Sequence, residues 1–118
     1  MTSHSKQDLR TRILRDSGVL DINESASAED AENVDPVVQA ALEELEDENV
    51  IIFDTSQLET VENIPARLFM ALSDFVRAQG MASYGIPYNA DLRMAALNRL
   101  RRGTTLGSDD TPVAVGFY

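Results

Sequence analysis

Residues 64–80 read IPARLFMALSDFVRAQG, and the fold turns on this stretch. Ile64, Leu68, Leu72, Phe75 and Val76 recur at the three- and four-residue intervals that place side chains on one face of an α-helix. Pro65 stands near the start, where a missing N–H is tolerated, and Gly80 supplies the stop. This is the predicted core helix, and the segments on either side are read as what covers it.

Upstream, Ser5 followed three residues later by Asp8 fits a capping box, Leu9, Ile13 and Leu14 form an apolar stripe, and Gly18 offers a left-handed stop. A first helix is expected over about residues 6–17. Val19 to Asn33 is rich in Ser, Ala, Asp, Glu and Asn and reads as a loop whose later part is a ragged helical turn. Asp35-Pro36 then looks like an N-cap with proline at the first helical position, and Val38, Ala41, Leu42 and Leu45 carry an acidic second helix to Glu48. Val50 to Phe53 reads either as a brief strand or as a loop plugging the core, with the loop favoured.

Downstream, Met81 to Tyr88 reads as a loop and Asn89 as the cap of a fourth helix, in which Leu92, Ala95, Ala96 and Leu100 face inward. Asp91 lies in its first turn, Arg99, Arg101 and Arg102 crowd its last, and Gly103 ends it. The expectation is therefore an all-α fold: a small bundle of about four helices over residues 1–102, with an extended, flexible C-terminal tail over 103–118.

The whole chain has 118 residues and a formal charge of −10, one His and no Cys. A chain of this size carries one modest core and no room for a large cofactor. Without cysteine there is no disulfide framework, thiolate zinc site or cysteine nucleophile. The start MTSHSKQDLR lacks the apolar core of a signal peptide, and the uncharged run Gly80 to Ala90 is interrupted by Gly85 and Pro87, so a soluble protein made in the cytoplasm is expected.

Charge is distributed in blocks. No Lys or Arg occurs between Asp16 and Ala66, and fifteen of the twenty acidic residues fall there. Such a block reads first as a solvated acidic face, and second as a surface that meets a basic partner or repels a polyanion. The arginines Arg99, Arg101 and Arg102 have two readings as well: they complement the helix dipole, or they meet an acidic partner.

Catalytic chemistry finds little footing. His4 lies near an N-terminus expected to fray, with no nucleophile arranged around it, and the glycines are too scattered for a phosphate loop. The carboxylates of Glu43 to Glu48 form a run that is normally hydrated, not a pair tuned for acid–base work. Asp21, Asn23, Ser25 and Glu32 match positions one, three, five and twelve of a calcium loop, but Ala26 stands where the sharp turn wants glycine, so the segment reads as a solvated linker. No enzyme activity, cofactor or metal is expected. The terminal Val113, Val115 and Phe117 alternate, and with Tyr118 they read first as a segment that docks on a partner by strand addition or groove insertion, and second as one that packs within the chain.

Lys6-Gln-Asp8-Leu9 opening a helix that ends at Gly18-Val19, and an acidic helix with Ala41-Leu42 and Leu45 running into Asn49-Val-Ile-Ile52, resemble the tail accessory factor, or head-to-tail adaptor, of short-tailed bacteriophages. The resemblance covers roughly residues 6–102. Ile64-Pro-Ala-Arg-Leu68, the Tyr84-Gly-Ile-Pro87 loop, the arginine-rich last helix and the aromatic C-terminus are similar to neck proteins of tailed phages more generally. The sequence departs from the short-tailed family by ending soon after helix four. The resemblance implies a small helical virion protein in the neck between capsid and tail, forming a dodecameric ring with copies of itself. Its partners would be the portal protein above and tail or neck proteins below, with DNA only as passing cargo and no membrane involved. The partner-binding residues read for that role are Val113, Val115, Phe117, Tyr118, Arg99, Arg101 and Arg102. The runner-up is a small acidic helical module that mimics a polyanion.

Overall fold

A helix that is apolar on most of its circumference is stable only when other elements wrap it, and the segment from Ala66 to Ala78 is such a helix. Leu68, Phe69, Ala71, Leu72, Ser73, Phe75, Val76 and Ala78 are all buried along it. The computed structural model describes residues 3–50 and 64–108. Within them the order is β1 (Ser3–His4), α1 (Lys6–Asp16), α2 (Ala28–Asp47), β2 (Ile64–Pro65), α3 (Ala66–Ala78) and α4 (Ala90–Ser108), with a single 3₁₀ turn over Ala82–Tyr84. The fold is a small all-α bundle. α4 makes the most extensive contact with α3, and α1 and α2 pack on α3 and on each other. The core joins Leu9, Ile13 and Leu14 of α1, Val34, Val38 and Leu45 of α2, the buried face of α3, and Ala96, Leu97 and Leu100 of α4.

The capping box of α1 is as read: the Ser5 hydroxyl accepts from the Asp8 N–H, and the Asp8 carboxylate accepts from the Ser5 N–H. α2 corrects the sequence reading. It begins at Ala28, not at Pro36, because Ser27 and Asp30 form a second capping box with the same reciprocal bonds. Pro36 lies inside the helix, where it withholds one N–H from the ladder. Pro36 and Glu32 are both exposed, so the carbonyl that loses its donor faces solvent. The residue before a proline resists helical geometry. Here that residue, Asp35, is held by Arg10 of α1, whose Nε and Nη2 donate to the two carboxylate oxygens at 2.8 and 2.7 Å.

Ile64 and Pro65 are likewise strand, not helix. They pair antiparallel with Ser3 and His4, so the N-terminus expected to fray is tied down from residue 3. The pairing sets His4 Nδ1 3.8 Å from Asp8 and lays its ring on Phe69, with centroids 3.9 Å apart. Ile64 still reaches the core, fully buried, which is why it fits the helical periodicity. The reading of Val50 to Phe53 falls mostly on residues 51–53, outside the described residues; Val50 itself is buried.

After α3, Gly80 adopts φ +85, and a Cβ there would stand 2.9 Å from the backbone nitrogen of Tyr88, so only glycine fits. Met81 and Ile86 then pair back on each other and return the chain to α4, whose first turn Asn89 caps through the Leu92 N–H. Ala95, expected inside, is exposed, and Leu97 is buried in its stead. Gly103 does not end the helix, which continues to Ser108. A Cβ on Gly103 would lie 2.6 Å from Leu68 Cδ2. This glycine is a point of close approach between α3 and α4, not a stop.

Two substitutions test these corrections by thermal melting. Pro36→Ala restores a ladder bond in the middle of α2 and is expected to stabilise by about 1–3 kcal/mol. Gly103→Ala gains up to about 1 kcal/mol of helix propensity but overpacks the 4% exposed Leu68 at a cost of about 1–3 kcal/mol, so a lower melting temperature is expected. Adding Leu68→Ala to Gly103→Ala should then cost less than Leu68→Ala does alone.

Candidate partner-binding surface

The arginines of α4 are positioned by helix geometry and answered from within the chain. Arg93 reaches Glu44 of α2 at 3.0 Å and Glu48 at 3.7 Å, and its guanidinium lies 5.2 Å from the centroid of the Phe75 ring. Arg101 donates to Glu48 at 2.8 Å. Arg99 donates to Asp74 of α3 at 3.0 Å, and Asp74 also accepts from Arg77 at 2.9 Å. Two of the three arginines read as partner-binding are thus engaged within the subunit. Arg102 is exposed and pairs with no acidic residue among the described residues. Val113, Val115, Phe117 and Tyr118 lie outside the described residues.

The acidic block divides in the same way. Asp35, Glu44 and Glu48 face basic residues of α1 and α4. The outward stripe of α2 carries Glu29, Glu32, Pro36, Ala40, Glu43 and Asp47, all exposed. None of its four carboxylates pairs with a cation among the described residues. It is acidic at both ends and small and uncharged in the middle. The outward side of α4 carries Asp91, then Met94, 52% exposed, and Ala95, followed along the helix by Asn98 and Arg102.

Polar side chains also strap the 21–27 segment onto α1. Gln7 donates to the Ala26 carbonyl at 2.8 Å, the Ala26 N–H donates to Thr11 at 3.1 Å, and Arg15 donates to the Glu24 carbonyl at 2.9 Å. Of the calcium-loop residues, Asp21, Asn23 and Ser25 lie exposed in this strap, whereas Glu32 belongs to the outward stripe of α2. Among the described residues, no group of three or more His, Asp or Glu is gathered as a metal site. Two open hollows mark the surface. One, of about 630 Å³, lies where Ser17, Arg77 and the Tyr84–Leu92 segment meet; the other, of about 410 Å³, lies beside His4, Arg12, Arg15 and Phe69. Among the described residues no helix is long and apolar enough to cross a membrane.

Sequence reasoning missed one contact altogether. The Tyr84 hydroxyl, on the turn after α3, donates to Asp30 at 2.7 Å and accepts from Asn33 at a long 3.4 Å, so it fastens that turn to the first helical turns of α2. The Ser27 N–H, aided by Tyr84, holds the Asp30 carboxyl below the usual carboxylate range. Burial, reinforced by the bond to Asp30, pushes the Tyr84 phenol up.

No family model matches the chain, nor does any curated protein or solved structure.

The two shifts have opposite consequences with pH. Asp30, lowered by folding, contributes stability that is present above the ordinary carboxylate pKa and is lost as pH falls below about 4. Tyr84, raised by folding, contributes stability that is present below about pH 10 and is lost as pH climbs through the raised value. Urea unfolding across a pH series is expected to show Tyr84→Phe weaker by about 1 kcal/mol at pH 7. Asp30→Asn should have a shallower acid limb than the parent.

Proposed function

We propose that this chain is a structural virion protein, a head-to-tail adaptor that forms a ring beneath the portal, extends the DNA channel and seats tail components. One observation carries the reading. Most of the charged side chains that join the helices are spent within the subunit, and two outward stripes are left unmatched among the described residues, one acidic on α2 and one on α4 that runs from Asp91 through Met94 and Ala95 to Arg102. A small body with unmatched stripes on two of its helices suits repeated heterologous contacts, which close into a ring when the rotation between neighbours allows. The likeness of residues 6–102 to phage adaptors supports the same reading, as does a net charge of −10, which lets DNA pass as cargo without adhering. The role is one of assembly, not catalysis, and its place is the neck between capsid and tail.

The acidic stripe also favours the second reading, a helical module that mimics a polyanion. The two readings part in the choice of partner: an adaptor binds a portal, a mimic binds the basic surface of a nucleic-acid-binding protein.

Mass measurement in solution with and without a phage portal protein tests the adaptor reading. A monomer or weak oligomer alone and a closed ring on the portal are expected. A monomer indifferent to every virion component would overturn it. Removing residues 112–118, which carry Val113, Val115, Phe117 and Tyr118, is expected to leave helical content and melting of the isolated protein nearly unchanged while abolishing incorporation into particles.

A further inference from the structure

The outward row of α4 is complementary to itself. Asp91, Ala95, Asn98 and Arg102 are all exposed and follow one another at intervals of four, three and four residues, which keeps them on one line along the helix. The row is acidic at one end, cationic at the other, and small or neutral between. Read from the opposite end it has the same spacing and the reversed charge. Laid antiparallel on the row of a second copy, about the midpoint between Ala95 and Asn98, each Asp91 meets the other copy's Arg102 and each Ala95 meets an Asn98. Asp91 and Arg102 are about 16 Å apart along the helix, so the two ion pairs fall about 8 Å on either side of the two-fold axis.

We propose that the occupant of this face is the same face of a second copy of the chain, in an isologous, antiparallel pair of α4 helices. Three features favour a copy of the chain over another protein. Arg93, Arg99 and Arg101 are engaged with acids of their own subunit, whereas Asp91 and Arg102 have no ion partner among the described residues, and a single two-fold operation pairs both. Ala95 and Asn98 at the centre are small enough for the helix axes to approach to about 8–10 Å, and the antiparallel setting opposes the two helix dipoles. Met94, 52% exposed beside the row, supplies apolar area on the flank of the pair. An isologous contact closes at two copies and leaves the α2 stripe free, so the pair belongs to the protein apart from the portal and does not rest on the ring reading. Contact through one helix face lies at the small end of specific interfaces, which makes the pair a weak dimer of the concentrated protein.

Sedimentation of the full chain over a concentration series reads the pair. A monomer–dimer equilibrium is expected, weakened roughly tenfold or more by Asp91→Arg or by Arg102→Asp, since either sets like charges together on both sides of the axis. Both substitutions in one chain reverse the row end for end and are expected to restore dimerisation to near the parent level. The unfavourable dipole contacts of the two substitutions persist in that double variant, so a loss caused only by a weakened α4 would not be rescued. Disulfide trapping reads the same contact without background, because the chain has no cysteine. Asn98→Cys, at an exposed position whose counterpart lies across the axis, is expected to form the covalent dimer roughly tenfold or more faster than Ala40→Cys on the exposed stripe of α2, through the raised effective concentration of the paired thiols. A parent chain that stays monomeric when concentrated, with Asn98→Cys linking no faster than Ala40→Cys, overturns the contact. A dimer that is indifferent to the single charge reversals, or that the double reversal does not rescue, overturns it as well.

Discussion

Everything in this molecule depends on covering α3. Its buried side chains include Phe75, Leu72 and Val76 at full burial, each contributing about 1.5–3 kcal/mol only if water is kept away. α4 makes the largest contact with it, α1 and α2 pack on it as well, and the β1–β2 ribbon closes the end where α3 begins. The short elements between helices serve the same demand. Gly80 turns the chain sharply enough for Met81 to bury behind it, and Asn49, at φ +65, lets Val50 fold back under the end of α2.

Charge organises what hydrophobic burial leaves undecided. Apolar packing is tolerant of small rotations and slides, whereas a forked guanidinium–carboxylate pair is not. The Arg10–Asp35 pair, with Lys6 Nζ 3.9 Å from the same carboxylate, fixes α1 against α2 beside Pro36. Arg93 and Arg101 fix α4 against α2, and Arg99 fixes it against α3. The more exposed of these pairs contribute at most about 1 kcal/mol each, so their role is to choose one arrangement among several of similar burial.

The same physics explains which parts were legible in the sequence. Helix existence follows from periodicity, and the stripes of α1, α3 and α4 are plain. The start of α2 was obscured because Asp35-Pro36 imitates a cap so well, although Ser27-Ala-Glu-Asp30 repeats the Ser5-to-Asp8 spacing that located α1. What decides between them is that Pro36 faces solvent and Asp35 is gripped by a residue 25 positions away. Ile64 misled in the opposite sense, since a residue buried from a strand can keep step with the helix that follows it. Gly103 carries a stop signal only if it turns left-handed, and packing against Leu68 holds it in the helix. At the surface, the basic and acidic blocks were visible, but the pairings between them span 25 to 53 residues, beyond the reach of spacing rules.

Leu68 and Gly103 have a mechanical consequence. Helices packed through apolar ridges have several nearly equivalent settings along their length, one for each groove that a ridge enters. Here one leucine methyl lies against α4 where Gly103 has no side chain. Slide α4 by one turn so that Arg99 or Leu100 arrives against the same methyl, and there is bulk where there was clearance. The pair is a dowel in its hole, and the reach of Arg93, Arg99 and Arg101 to their acids is measured from that one setting.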